Sequence, residues 1–345
     1  MKRFIFFALV LMGSIGATTV SAQSTVIATL SHEGNITTFY GTPALKQALD
    51  AAVDGDIITL SPGTFQASDI RKSITLRGAG YVLNTETHTE PTVISGDFTI
   101  YGTNGLTIEG IYHNATMYYY TYNDIINAKF IKCRFYVINS YASGSSTLKD
   151  AQFIDCKIRY SIDLYRNCNV SLINCILNRP RVYGGGDNSF FNFQNCVIIG
   201  LNVNNSSSWG IYRSTFNNCI IDADYQYDWP LSSSNSGYNN LCINTFGYQS
   251  FFQNILTNTN NSYETDFTKV FKDYTGTYSD DLGFELTDEA KQKYRGSDGT
   301  EIGIYGGVMP FDPTPSNPQI TKLNVASKST VNGKLSVDIT VKGLE

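Results

Sequence analysis

The sequence predicts a solenoid of short parallel strands, a parallel β-helix, on three observations. A motif centred on Cys recurs five times in the middle of the chain, at spacings of 23, 19, 21 and 23 residues, and a fixed period is the signature of a repeat architecture. Asn and Gly are abundant, 30 and 29 of 345 residues, with 25 of the Asn between positions 101 and 261. Both tolerate left-handed backbone and tight turns. Each repeat is about 20 residues, too short for a helical solenoid, and it carries no leucine-rich pattern. Composition narrows function as well. With 42% hydrophobic and 13% aromatic residues the chain is not disordered. Its 25 Lys and Arg against 30 Asp and Glu leave a net charge of -5, little material for a basic nucleic-acid face.

At the N-terminus, Met1-Lys2-Arg3 precedes an apolar run from Phe4 to Met12, and Val20-Ser21-Ala22 fits a small-x-small cleavage site. Residues 1–22 are read as a cleaved signal peptide, which makes the protein secreted, periplasmic or cell-surface. The apolar run is shorter than the roughly 20 residues that span a bilayer, so no membrane span is expected.

A helix over about 43–54 comes next, with Thr42 as N-cap and Pro43 in its first turn. Ala44, Leu45, Ala48, Leu49, Ala52 and Val53 form one apolar stripe, and Gly55 ends it. A solenoid must cover its terminal coil, and this helix is placed to cap it. Ile57–Leu60, Ile74–Gly78, Val93–Gly96 and Leu106–Gly110 each read as one strand of a coil, with Gly in place of Cys in the later three.

The repeat proper runs Phe130–Phe135, Phe153–Ile158, Leu172–Leu177, Phe193–Ile198 and Phe216–Ile221 around Cys133, Cys156, Cys175, Cys196 and Cys219, with Cys242 following as a sixth. Three residues before and two after each Cys the side chain is apolar. A straight strand cannot point the third residue before Cys and the Cys itself into one core, so the chain must bend between them. Lys132, Asp155, Asn174, Asn195 and Asn218 stand just before the Cys, and Asn there accepts the left-handed backbone of a tight bend. The thiols then stack inside the coil as small buried hydrophobes, which accounts for an odd total of seven. Bridges are open to an exported chain, but equivalent positions of successive coils project side by side, which suits the disulfide torsion poorly. Cys168 falls outside the ladder.

Pro310–Pro318 reads as a stiff extended linker. Beyond it, Ile320–Val325 and Leu335–Val341 read as two strands of a hairpin joined at Asn332-Gly333, within a C-terminal extension of residues 319–345. The solenoid therefore occupies residues 23–309, about nine coils and roughly 45 Å at ~4.8 Å per coil.

Residues 42–65 together with Ile74-Thr75-Leu76-Arg77-Gly78 resemble the N-terminal portion of the pectin-lyase-like superfamily. The Asn-Cys coils are similar to those of β-helix repeat proteins exported by Bacteroidetes, and Gly296–Gly307 resembles the end segment of that subgroup. The resemblance spans about residues 40–310. It implies an all-β, right-handed parallel β-helix. It does not choose a function, since the superfamily holds lyases, glycoside hydrolases, adhesins and proteins of unknown activity.

A polysaccharide lyase needs a Lys or Arg base beside Ca²⁺ ligands or a second cation. Arg134, Lys157 and Arg159, on the outward face just after two successive Cys, are the candidates for it. The apolar residues at the equivalent places further on, among them Ile176, Val197 and Ile220, predict that a loop covers part of this face. The clustered Asp and Gly-His-Gly that the resemblance would imply for a glycoside hydrolase are absent. Asp222, Asp224 and Asp228 place oxygens at alternate residues, as in some Ca²⁺ loops, but lack the Gly and Glu of an EF-type loop. No other cofactor is implied. For carbohydrate binding the candidates are Tyr118, Tyr119, Tyr120, Tyr225, Tyr227 and Trp229, rings set among Asn, Asp and Ser. The expected function is non-catalytic binding of a polysaccharide, cell-surface glycan or other extracellular partner. A glycan-cleaving enzyme and a structural adhesin or spacer are the alternatives.

Overall fold

The computed structural model describes residues 26–342 apart from 86–88, 121–122, 142–147, 165–167, 183–188, 202–210, 212, 224–230, 317, 327 and 331. Two long sheets run side by side. The first contains twelve strands: ten are parallel, from Ile57–Leu60 to Thr257–Thr259, and an antiparallel hairpin, Ile27–His32 with Asn35–Tyr40, extends the N-terminal edge. The second runs from Gly63–Gln66 to Ser262–Glu264, each of its strands following the matching strand of the first. Chain alternation between two parallel sheets produces a solenoid whose interior is one continuous apolar core. No helix among the described residues is long and apolar enough to cross a membrane.

The bends lie where the repeat places them. Lys132, Asp155, Asn174, Asn195 and Asn218 have φ of 51–55°, and the residues three before and two after each Cys are buried on both sides of that corner. The same left-handed position is filled by Gly110 (φ 65°) one coil upstream, and by Asn239 (φ 53°) and Asn260 (φ 55°) downstream. Two expectations are thereby corrected. Gly110 replaces the bend residue, while Ile111 stands where the next coil has Cys133, its carbonyl bonding the N–H of Arg134 as the Cys133 carbonyl bonds Lys157. Cys242 pairs with Ile221 rather than with Cys219, whose counterpart is Asn240.

The ladder has a hydrogen-bonding logic. Each Cys Sγ donates to the carbonyl three residues before the preceding Cys, as Cys156 does to Phe130 (3.2 Å), Cys175 to Phe153 (3.3 Å) and Cys196 to Leu172 (3.2 Å). Asn240 Nδ2 makes the same bond to Phe216 O at 2.8 Å, and Asn261 continues it to Gly237 O at 2.9 Å. All seven cysteines are free and buried. Burial pushes the thiols of Cys133, Cys175 and Cys219 up, so they stay neutral donors.

The helix covers Ala44–Ala51 and buries Ala44, Leu45, Ala48 and Leu49 against the N-terminal strands; Val53 is exposed. Its N-cap is Pro43, without a side-chain cap bond, so Thr42 is not the cap expected. The missing polar closure is supplied at the other end. Lys72 Nζ donates to the carbonyls of Leu49 and Asp50 at 3.0 Å, and to that of Ala52. Lysine among the last carbonyls satisfies their lone pairs and opposes the helix dipole. Lys72→Met is therefore expected to destabilise the protein by about 1–2 kcal/mol, readable as a lower denaturation midpoint with an unchanged m-value.

After the last rung the chain does not leave the solenoid. Residues 266–311 fold back across the outer face of the second sheet and build a second apolar core there, in which Val270, Phe271, Phe284, Leu286 and Ile304 cover Ile176, Val197, Ile220 and Leu241. The covering expected from those outward apolar residues is thus a long returning segment. It continues as a strap along the bends in reverse order. Ser297 N donates to Asn218 Oδ1 (3.0 Å), and Asn174 Nδ2 donates to Ile304 O (3.1 Å), Gly306 O (3.4 Å) and Met309 O (2.5 Å). Lys132 Nζ bonds Thr314 O (2.6 Å), and Ser316 N bonds Glu109 Oε1 (2.6 Å). A Cβ added at Gly110 would sit 2.8 Å from the Pro315 Cβ, so the bare backbone there makes room for the strap. Asp312–Ser316, within the Pro-rich stretch read as a linker, is therefore laid against the coils. Beyond it, Gln319–Val325 and Val337–Lys342 pair antiparallel as a hairpin, with Gly333 at φ 71° in the turn.

Candidate functional site

The outward face of the second sheet holds the predicted basic residues, and the returning segment decides their role. Arg134 Nη2 forms an ion pair with Asp280 Oδ2, and Arg159 Nε reaches the same oxygen at 3.2 Å. Lys157 is only 9% exposed; its ammonium donates to the carbonyls of Asp280 (2.7 Å) and Leu282 (3.2 Å). Burial, reinforced by the neighbouring Arg134 charge, lowers its pKa. The guanidinium groups also lie over rings, Arg134 4.5 Å from the Tyr112 centroid and Arg159 5.7 Å from that of Tyr136. The three cations thus converge, as the sequence suggests, on a turn of the returning segment that follows them by more than 120 residues. They hold it in place.

Beside this anchor lies a groove of about 620 Å³. Its floor is supplied by six successive coils, at Tyr136, Arg159, Asn178, Ile199, Asp222 and Thr245, and one wall by Phe267, Tyr274 and Tyr278 of the returning segment. Asn178, Ile199 and Asp222 share a column because their strands are in register, Asn178 opposite Ile199 and Ile198 opposite Ile221. At ~4.8 Å per rung the groove extends roughly 24 Å along the solenoid axis. Tyr136 and Tyr160 stack at 5.5 Å and 25°, yet Tyr160 remains 57% exposed. Asp222 is buried and accepts from the Tyr274 hydroxyl at 2.7 Å, which ties the wall to the floor.

The other predicted residues fall elsewhere. Tyr119, 1% exposed, is a core residue and cannot meet a ligand, because strand alternation turns it inward. Tyr118 is half-buried away from the groove, and the side chain of Tyr120 lies outside the described residues. Tyr225, Tyr227, Trp229, Asp224 and Asp228 are also outside them. Asp222, the described member of the proposed metal set, is engaged by Tyr274. Among the described residues no three His, Cys, Asp or Glu side chains converge as metal ligands. Tyr136, Tyr160, Tyr278 and Phe246 are the site residues that sequence reasoning passes over. Tyr136 and Tyr160 were within reach of it, since each follows its Cys by three or four residues on consecutive coils.

No protein-family model matches the chain, and no curated protein matches it. Among solved structures, the chain is similar to the crystal structure of the pectate lyase Pel9A, at 13% sequence identity and a TM-score of 0.41. The alignment covers 78% of this chain and 90% of that one.

Proposed function

We propose that the protein is an exported β-helix, freed of residues 1–22, that binds an extended glycan in the axial groove without cleaving it. The helix Ala44–Ala51 serves as the cap of the first coil on this reading. One observation carries the proposal: the groove offers an exposed ring, Tyr160, among amide, guanidinium and carboxylate side chains, while the basic residues beside it are committed to Asp280 and Leu282. Apolar ring faces beside fixed polar groups suit sugar recognition. A general base needs a free lone pair within reach of the proton it removes, and a buried ammonium that donates to two carbonyls offers none.

Affinity-gel retardation of the mature protein by a panel of acidic and neutral polysaccharides tests the reading. At least one glycan is expected to retard it, and Tyr160→Ala to weaken that binding about tenfold, the equivalent of ~1.4 kcal/mol for a lost ring contact. Absence of retardation by every glycan would leave the spacer reading. Unsaturated product or new reducing ends that vanish in Lys157→Ala would establish a lyase instead.

A further inference from the structure

We infer that the strand Asn35–Tyr40 is a dimerisation edge, which pairs antiparallel with the same strand of a second copy about a two-fold axis at Thr38. Among the described residues this strand pairs with Ile27–His32 alone, and it ends the first sheet on the N-terminal side. Its other edge is therefore a row of main-chain groups without a neighbouring strand. The hydrogen-bond phase identifies them. Gly41 N donates to Val26 O, and Ser61 N to Ile27 O. Directly opposed residues of an antiparallel ladder alternate between bonded and unbonded pairs, so Asn35, Thr37 and Phe39 turn their N–H and C=O toward Ile27–His32. Those of Ile36, Thr38 and Tyr40 point outward.

Natural sheets guard such an edge with charge, proline or a bulge. Asn-Ile-Thr-Thr-Phe-Tyr contains no charged residue and no proline, and its register with Ile27–His32 runs unbroken. The side chains follow the same logic. Ala28 and Leu30 enter the core, and Phe39, opposite Ala28, packs against it. Ile36, Thr38 and Tyr40 thus lie on the other face, where Ile36 is 71% and Tyr40 62% exposed. Two such edges can meet in several registers, but the one centred on Thr38 opposes all three outward residues at once: Ile36 to the partner's Tyr40, Thr38 to the partner's Thr38, and Tyr40 to the partner's Ile36. Each opposed pair exchanges two main-chain hydrogen bonds. The same register covers each exposed Ile with an exposed ring, a favourable β-branched and aromatic cross-strand pair, and sets no like charges against each other. A second copy fits because the contact is isologous, each edge meeting itself. The pairing joins Ile36–Tyr40 of each copy, against roughly 20–30 residues a side in a standard interface, so the dimer is weak, with a dissociation constant on the order of 10–100 µM.

Sedimentation equilibrium of the mature protein between about 1 and 500 µM, a range that brackets this constant, tests the inference. The mass is expected to rise from monomer toward dimer, and a monomer at every concentration would overturn it. Thr38→Lys and Thr38→Glu then test the register. Each sets two like charges opposite each other across the axis. The Thr38 side chain is exposed, so both variants are expected to melt with the wild type. At low ionic strength each alone should dimerise roughly fivefold more weakly. An equimolar mixture of the two should dimerise again, because an ammonium then faces a carboxylate. Dimerisation undiminished in both variants, or a mixture that associates no better than its components, would show that the copies do not meet at Thr38.

Discussion

Between pH 4 and pH 7 the folded protein is expected to lose about 2–4 kcal/mol of stability through one carboxyl group, and Asp155→Asn to abolish that loss. Asp155 occupies a bend position where the three following coils carry Asn. It is buried under the strap with Oδ1 unpartnered. Burial, then the adjacent Cys156, pushes its pKa up to about 7 from 3.8; the Lys132 ammonium and the N–H of Asp312 oppose this without prevailing, and the Asp312 carboxylate adds to it. The native state therefore holds a proton that the unfolded chain has already released. Stability is greatest near pH 4, declines as pH rises to 7, and is level above that. Denaturant unfolding of the two proteins at pH 4 and pH 8 checks it. They should be nearly equal at the lower pH, with the Asn variant more stable at the higher one. Other titrating groups, such as His32 beside Asp56, are common to both and cancel. A constant difference at the two pH values would show that Asp155 is ionised throughout.

Phe153→Ala is expected to cost about 3–5 kcal/mol, the usual range for removing a buried aromatic ring from a packed core. Phe153 is fully buried, stacked on Phe130 at 4.6 Å and 12°, and edge-on to Phe135 at 6.3 Å. A void there lies between two rungs, so neither neighbour can collapse into it without breaking the strand register that joins Phe130 to Phe153 and Phe153 to Leu172. Phe190→Ala provides the contrast. That ring belongs to the same sheet but points outward and is 54% exposed, so its removal should change stability by no more than about 0.5 kcal/mol. Comparable losses in the two variants would contradict the assignment of inside and outside.

The corner of each coil was legible because it is written locally. An apolar residue, a bend residue and Cys within four positions fix an inward side chain, a left-handed turn and an inward thiol, and all five copies fold accordingly. What escaped is chemistry shared by unlike residues. Asn240 and Asn261 continue the thiol ladder because an amide N–H donates to the same carbonyl that S–H does, and a pattern keyed to Cys instead misassigns Cys242. The groove was less legible still. Its wall is joined to its floor by contacts such as Tyr274 to Asp222, 52 residues apart, and no local signal marks such a pairing. The outward Ile176, Val197 and Ile220 foretold that something covers the face, since exposed strand faces are seldom apolar, but not which segment does so. The Pro-rich stretch misled because proline dictates an extended path without saying whether that path is free or docked.

The reverse course of the strap also sets how the molecule can be held. Its end at Pro315 and Ser316 is fixed at Gly110 and Glu109, near the first rungs, so the C-terminal hairpin departs from the same end as the N-terminus. A tether attached there would pull on the strap and detach it one bend at a time, the load reaching Asn174 only after Lys132 and Asp155 have let go. Anchored this way, the solenoid would stand outward like a mast, with its last rungs at the far tip.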